Sequence, residues 1–327
     1  MLAPIVVTAC SRYKLLKDCL ESLASCKLAD KSELFIAVDY PWDSKYVGEY
    51  NKILEYLRSE LSGFLKVNLI VRDKNVGYIK NMQDVFNRVF EKYDRLIYTE
   101  DDNTFSKCFL EYENTCLEYF KNDMRISCVT GFTIYRLNDP SNIHVEPGVP
   151  FWGLGIWKDR WTILNDRVNL DSFNKIAHTY SLSHNIWKAS LRNYGKFIDY
   201  VLGQSVKKHD SAYGCVANSL DMRRVAPNES MVHNNGTGSG GSIHTWKNNS
   251  VNDYYDRLYM SSSEEFSLEI ADDIHDVKYW KRFHRQKGVM GVKNIDVFSN
   301  FLWGLIFLII PPEYIYRMKM LFRRQRK

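Results

Sequence analysis

The first third of the chain alternates short β-branched runs with longer amphipathic segments, and this alternation restricts the possible folds more than any other feature. Runs rich in Val, Ile and Leu predict strands, whereas segments with an apolar period of about 3.6 residues predict helices. The predicted strands are residues 5–9, 34–39, 67–72 and 95–99, and the predicted helices are residues 15–25, 47–61, 79–93 and 107–122. Strands that alternate with helices form a mostly parallel sheet flanked by helices, so the sequence predicts an α/β fold.

Polar residues follow each predicted strand directly. In chain order they are Ser11 and Arg12, then Asp39, then Asp73, Lys74 and Asn75, and finally Glu100, Asp101 and Asp102. Ligands of open parallel sheets bind beyond the carboxyl ends of the strands. These side chains therefore predict one shared cleft.

The acidic triplet Glu100, Asp101 and Asp102 ends the fourth predicted strand. Adjacent like charges repel each other and favour a compensating cation. Mg²⁺ and Mn²⁺ prefer oxygen ligands, retain several waters and bind substrate phosphates, so the triplet predicts a divalent cation that holds a nucleotide diphosphate. The alternative is a solvated acidic turn in which Asp102 or Asn103 caps the next helix.

The order of these segments resembles a known family. Residues 9–12, 33–39 and 75–81, followed by the acidic triplet, resemble the inverting glycosyltransferases of the GT-A (Rossmann-like) fold. The likeness is greatest to the N-acetylglucosaminyltransferases that act on mannose of protein-linked glycans and to related bacterial sugar transferases of surface-polysaccharide pathways. It spans roughly residues 3–250.

The resemblance implies a role for each matching residue of the donor pocket. Arg12 and Asp39 would line the nucleotide pocket, Glu100 and Asp101 would contact the donor sugar and ribose, and Lys80 would lie near the donor sugar or phosphate. Asp102 would bind Mn²⁺ or Mg²⁺ between the phosphates of a nucleotide sugar, with a UDP-sugar favoured. The alternatives are a surface charge for Arg12, a turn residue for Asp39 and a solvated helix residue for Lys80.

A segment rich in glycine and tryptophan, residues 150–157, resembles the family's border of the acceptor site. Flat aromatic faces bind the C–H faces of sugars, so Trp152 and Trp157 are the predicted acceptor contacts. Ordinary core packing of these indoles is the alternative.

Inverting transfer needs one base that deprotonates the acceptor hydroxyl. The family places this base in a segment that residues 208–213 match, which makes Asp210 the candidate. The family usually has tryptophan before that aspartate, whereas this chain has His209. Asp199 and Asp221 are the alternative bases.

A loop rich in Gly, Asn and Ser follows at residues 234–242 and matches the family's closing segment. Backbone N–H groups of glycines approach phosphate oxygens closely, and the predicted phosphate loop comprises Gly236, Gly238, Gly240 and Gly241. His244 is predicted as a second metal or phosphate ligand, and His233 is the weaker candidate. A flexible linker is the alternative for this composition.

The C-terminal tail carries much of the formal net charge of +5, so the body lacks the basic face of a nucleic-acid-binding protein. Residues 297–310 are mostly apolar but shorter than the ~20 residues of a spanning helix. The basic and apolar residues after them predict an interfacial amphipathic helix on an anionic membrane. The seven cysteines and the absence of a signal peptide predict a cytoplasmic protein held at the inner face of the cytoplasmic membrane.

These features predict three regions: a glycosyltransferase domain at 1–250, a helical extension at 251–296 and a membrane-association tail at 297–327. Within the first, residues 1–130 would bind the nucleotide sugar and residues 131–250 would supply the acceptor side. The predicted reaction is metal-dependent, inverting sugar transfer to a glycan or polyprenyl-linked acceptor in O-antigen-like or capsule-like synthesis.

Two other functions fit parts of the pattern. An inactive glycan-binding or nucleotide-binding protein of the same fold, docked on a membrane, is the non-enzymatic alternative. A sugar nucleotidyltransferase is the enzymatic one, but residues 10–15 lack the glycines of its phosphate loop.

Overall fold

The structure is a computed structural model that describes residues 1–59, 61–133, 141–146, 148–169, 209–236 and 260–270, with residues 274–275, 309–310 and 314. The chain divides into two compact units. The first contains Met1–His144, Pro150–Asp159 and Val225–Ala271, and the second contains Val145–Val149, Arg160–Arg224 and Asp272–Lys327. The predicted boundaries at residues 130, 250 and 296 stay predictions.

The described residues form ten strands and six helices. The strands are β1 (Ile5–Ala9), β2 (Glu33–Val38), β3 (Lys66–Val71), β4 (Arg95–Glu100), β5 (Asn103–Phe105), β6 (Ile126–Thr130), β7 (Ile143–Glu146), β8 (Leu154–Trp157), β9 (Arg223–Pro227) and β10 (Val232–Asn234). The helices are α1 (Tyr13–Ala24), α2 (Val47–Ser59), α3 (Tyr78–Phe90), α4 (Phe109–Tyr119), α5 (Lys158–Asn165) and α6 (His209–Ser219). The four strands and four helices predicted for the first third all form.

Eight strands form one sheet in the order β3-β2-β1-β4-β8-β6-β9-β7. β1 pairs in parallel with both β2 and β4, and β2 pairs in parallel with β3. β8 is antiparallel to its neighbours β4 and β6, so β6 again runs with the parallel group. The mostly parallel α/β sheet is confirmed.

Strand β1 lies inside the sheet, between β2 and β4, and is apolar except for Thr8. All five of its residues are buried, as expected for a central strand with helices on both faces. Helix α1 presents a buried stripe at helical spacing, formed by Leu16, Cys19, Leu20 and Leu23. Burying each leucine stabilises the fold by about 1.5–3 kcal/mol.

All seven cysteines are free thiols, and six of them are buried. Cys10 is partly exposed. Among the described residues, none of the helices combines the length and apolar character that crossing a membrane requires. Of the predicted tail, only residues 309, 310 and 314 are described, so its interfacial helix stays a prediction.

Candidate functional site

The predicted cleft residues lie at one edge of the sheet in the first unit. β1 lies between β2 and β4, and its partners include Val38 for Ala9 and Glu100 for Thr8. The residues that follow these three strands are therefore neighbours, although they lie far apart in sequence. The sequence correctly predicted this convergence.

Asp39 fastens the loop between β3 and α3 to the end of β2. Its carboxylate is buried and accepts hydrogen bonds from the backbone N–H groups of Tyr40, Val76 and Gly77, each at 2.9 Å. The side-chain amide of Asn75 donates to it as well, at 3.2 Å. Gly77 precedes α3 with a φ of 85°, a conformation that glycine adopts without strain. In this structure Asp39 shapes a backbone loop, and its contact with a nucleotide stays a prediction.

The Arg12 side chain holds the two aspartates of the triplet. Its Nη1 donates to Asp102 Oδ2 at 2.8 Å, its Nη2 donates to Asp101 Oδ1, and its Nε lies 3.4 Å from Asp101 Oδ2. Both aspartates are buried, and their charge raises the pKa of Arg12 above its ordinary value although burial opposes this. Burial raises the pKa of Asp101, and the guanidinium opposes that shift. The surface-charge alternative for Arg12 is therefore wrong.

The start of the glycine-rich loop returns to the same carboxylates. β10 pairs with β5 in antiparallel register, which places Asn234 opposite Asn103. The Asn234 Nδ2 donates to Asp102 Oδ1 at 2.8 Å, and the Asn235 N–H donates to the Asp102 carbonyl at 2.7 Å. A Cβ on Gly236 would lie 2.2 Å from Asp102 Oδ2, so only glycine fits there.

Asn234 was not predicted from the sequence to be a site residue, and β5 and β10 were not predicted to pair. Both strands have only three residues, too few to show a period. The signal available in the sequence was the dipeptide Asn234-Asn235 at the start of the loop. Amide side chains at this position can donate hydrogen bonds to the carboxylates of the triplet.

Glu100 lies at the end of a chain of hydroxyl groups. Tyr78 donates its hydroxyl to Glu100 Oε1 at 2.6 Å, Tyr98 donates to Tyr78 at 3.2 Å, and Thr8 lies 2.8 Å from the Tyr98 hydroxyl. Burial, followed by repulsion from Asp102, raises the pKa of Glu100 to about 8, although Tyr78 and Arg12 oppose the rise. The three carboxyl groups therefore differ: the two aspartates are paired with a cation, and Glu100 is fixed by a phenol.

The side chains at this site suit a hard divalent cation that takes some of its ligands from the protein and the others from a substrate. Asp101 and Asp102 offer carboxylate oxygens, the ligands that Mg²⁺ and Mn²⁺ prefer. Among the described residues, no group of three or more His, Cys, Asp or Glu side chains is placed to hold a metal. Two carboxylates fit an ion completed by phosphate oxygens and water rather than a closed protein cage.

The other predicted donor and acceptor residues differ in exposure. Lys80 lies on the exposed side of α3. Trp157 is buried and donates its indole N–H to the Leu117 carbonyl at 3.1 Å, so in this structure its ring packs in the core. Trp152 is half-buried and packs edge to face on Phe132, with ring centroids 4.7 Å apart. Trp152 is thus the more exposed of the two predicted acceptor contacts.

The candidate bases lie in the second unit. Asp210 is exposed in the first turn of α6. Asp221 lies in a turn with a φ of 58°, and its Oδ1 accepts from Arg223 Nη2 at 2.9 Å. Asp199 lies outside the described residues, as do Gly238, Gly240, Gly241 and His244. The weaker candidate His233 belongs to β10 and its Nδ1 lies 3.2 Å from Asn235 Oδ1.

Neither a family model nor a curated protein matches the sequence. Several solved structures are remotely similar. S. aureus TarS 1-349 in complex with UDP-GlcNAc is 14% identical over 80% of this chain and 62% of that chain, with a TM-score of 0.41. The mannosyltransferase PcManGT from Pyrobaculum calidifontis, in complex with GDP-Man and Mn²⁺, is 11% identical over 68% and 70%, with a TM-score of 0.35.

A further structure of S. aureus TarS 1-349 is 12% identical over 71% of this chain, with a TM-score of 0.39, and the match spans 60% of that chain. Similarity at this level does not identify a family. The functional inference therefore rests on the site itself.

Proposed function

We propose that this chain is a glycosyltransferase of the GT-A type that takes a sugar from a nucleotide-sugar donor, with UDP-sugars favoured. One observation carries the proposal: two buried aspartates at the end of a central parallel strand meet a cation and the first residues of a glycine-rich loop. This edge of a parallel sheet is where nucleotide ligands bind in α/β proteins. Buried like charges of this kind are costly to the fold and are retained where a ligand needs them.

The donor would lie against the carboxyl ends of β1, β2 and β4. Arg12 would contact the phosphates or the base, and Asp39 would act through the loop that it fastens. The Oε1 of Glu100 accepts from Tyr78, and the other carboxyl oxygen would contact a sugar or ribose hydroxyl of the donor. Asp101 would share that contact, and Lys80 would approach the phosphates from α3.

A divalent cation, Mn²⁺ or Mg²⁺, would be held by Asp102 and by His244. When bound, it supplies positive charge that stabilises the departing nucleotide diphosphate. Gly236, with Gly238, Gly240 and Gly241, would bring backbone N–H groups to the phosphate oxygens.

We assign the base to Asp210. It would accept the proton of an acceptor hydroxyl while that oxygen forms a bond to the anomeric carbon and the bond to the diphosphate breaks, which inverts the configuration. Asp221, whose carboxylate accepts a hydrogen bond from Arg223, stays the alternative base. Trp152 would contact a sugar of the acceptor.

The acceptor is proposed to be a glycan or polyprenyl-linked glycan of a bacterial surface polysaccharide. The basic tail at residues 297–327 would hold the protein at the inner face of the cytoplasmic membrane, near such an acceptor. Deleting this tail is expected to release the protein from anionic vesicles without loss of donor hydrolysis.

A thermal-shift screen of UDP-, GDP-, CMP- and dTDP-sugars with Mn²⁺ tests the donor directly, since a ligand of the folded state raises the melting temperature. The matching donor is expected to stabilise the wild type and not the Asp102→Ala variant. Full transfer by Asp102→Ala would contradict the metal role, and near-normal transfer by Asp210→Asn would contradict the base. Donor binding without any turnover would favour the non-enzymatic alternative.

A further inference from the structure

All four carboxylate oxygens of Asp101 and Asp102 already have a partner within the protein. The guanidinium of Arg12 contacts both oxygens of Asp101 and the Oδ2 of Asp102. The Oδ1 of Asp102 accepts from the Asn234 amide at 2.8 Å. A cation that binds these carboxylates must therefore compete with groups of the protein for the same oxygens.

The electrostatics show which group has to leave. Asp101 and Asp102 are 4% and 7% exposed, and two adjacent buried carboxylates need positive charge close by. Arg12 supplies this charge, whereas Asn234 is neutral. A guanidinium does not lose its proton in proteins, so Arg12 cannot give way by titration. Two cations on the same carboxylate oxygens would repel each other, and the side chain that must move is therefore that of Arg12.

Arg12 is placed so that it can move without unfolding its surroundings. Its backbone lies between β1 and α1, where its carbonyl accepts from the Leu16 N–H at 3.0 Å. Its side chain is 22% exposed and extends from solvent to the buried carboxylates. Rotation of this long side chain leaves the backbone hydrogen bond intact.

We propose that Arg12 is an internal counter-cation of Asp101 and Asp102, and that a divalent cation binds these carboxylates by displacing its guanidinium. The released guanidinium then pairs with the phosphate oxygens of the donor, which suit its planar fork. Arg12 thereby opposes cation binding in the absence of donor. This inference rests on the proposed function, because it takes Asp102 as a ligand of the cation, and it adds the neighbouring Asp101 to that site.

The test is Mn²⁺ binding to the full-length protein without nucleotide, measured from the electron paramagnetic resonance signal of free Mn²⁺. Arg12→Gln removes the competing charge and is expected to bind Mn²⁺ roughly tenfold more tightly than the wild type. The matched control is Arg125→Gln, because Arg125 binds Asp123 with the same fork, at 2.9 Å for both contacts, but is exposed. Its Mn²⁺ affinity should equal that of the wild type.

Equal or weaker Mn²⁺ binding by folded Arg12→Gln overturns the inference. If that variant does not fold, Arg12→Lys keeps the charge without the fork and is expected to bind Mn²⁺ about threefold more tightly than the wild type. Wild-type affinity in Arg12→Lys would then overturn it. Failure of the proposed function has a different signature: no nucleotide sugar stabilises the wild type, whatever the Mn²⁺ affinities.

Discussion

Two acidic sites in the first unit are buried, and they differ in how the free-energy cost of removing a carboxylate from water is reduced. Asp101 and Asp102 remain beside a cation, Arg12, at the edge of the sheet. Glu113 on α4 is fully buried, and within the described residues neither of its oxygens makes a hydrogen bond of good geometry. Burial raises the pKa of Glu113 well above its ordinary value, although the backbone of Gly155 opposes the shift slightly. The protonated form of Glu113 is therefore favoured up to a higher pH than in an exposed glutamate.

The two sites differ because Asp101 and Asp102 are paired with a cation, whereas burial disfavours the charged form of Glu113. Burial in an apolar core raises the pKa of a carboxyl group, because desolvation disfavours the charged form. A carboxylate that stays charged when buried requires a counter-ion. Asp101 and Asp102 follow the end of β4, whereas Glu113 lies on α4, which packs against β6 and β8.

The largest effect is expected when the counter-ion is removed. Arg12→Met should destabilise the ligand-free protein by on the order of 3 kcal/mol, because two buried carboxylates lose their cation. Urea denaturation monitored by circular dichroism measures the loss. Arg125→Met, which breaks the exposed pair with Asp123, should cost less than about 1 kcal/mol. Equal losses in the two variants would show that Arg12 does not compensate buried charge.

A smaller effect is expected when a carboxylate replaces the neutral donor. Asn234→Asp loses the hydrogen bonds to Asp102 and Asn103 and places like charges together, which should cost about 2 kcal/mol near neutral pH. The loss should shrink in acid as carboxyl groups protonate. Asn235→Asp is the control, since that amide bonds Thr104 and is half-exposed. A loss that does not depend on pH would contradict the electrostatic explanation.

The contribution of Glu113 to the free energy of unfolding should depend on pH. Its pKa is raised in the folded protein, so above the ordinary value of 4.5 the unfolded chain ionises while the folded chain does not. Its contribution is therefore greatest below that pH and falls as pH rises, by at most about 1.4 kcal/mol per pH unit.

Glu113→Gln has nearly the same shape and cannot ionise. The free energies of unfolding of the wild type and of this variant should thus converge in acid and diverge as pH rises above 4.5, with the variant the more stable. Urea denaturation across that range measures the difference. Parallel curves would mean that Glu113 is charged in the folded protein.

The smallest change in stability is expected at an exposed charge. Lys80→Ala should alter the free energy of unfolding by less than about 0.5 kcal/mol, because the side chain lies on the surface of α3. Donor-induced stabilisation in the thermal-shift assay should nevertheless decrease, if Lys80 approaches the phosphates. Unchanged donor stabilisation would leave Lys80 a solvated helix residue.

Much of the fold was predictable because its determinants are local. Apolar runs and helical periods placed β1 to β4 and α1 to α4 within a few residues of their ends. The rule for parallel sheets then placed Arg12, Asp39 and the acidic triplet at one edge. The short strands β5 and β10 and the antiparallel strand β8 were not predicted, since so few residues show no usable period.

Local residue patterns were enough to predict a mostly parallel α/β sheet and the residue types that gather beyond its strands. How the charges of these residues are balanced depends on contacts between segments that are distant in sequence. Arg12 and Asp101 are 89 residues apart, and Asn234 and Asp102 are 132 apart, so no local pattern records either contact. Nor does any local pattern show that Trp157 and Glu113 are buried. Burial and charge pairing depend on which distant segments meet, and these decide whether a carboxyl group is a ligand site or a neutral core residue.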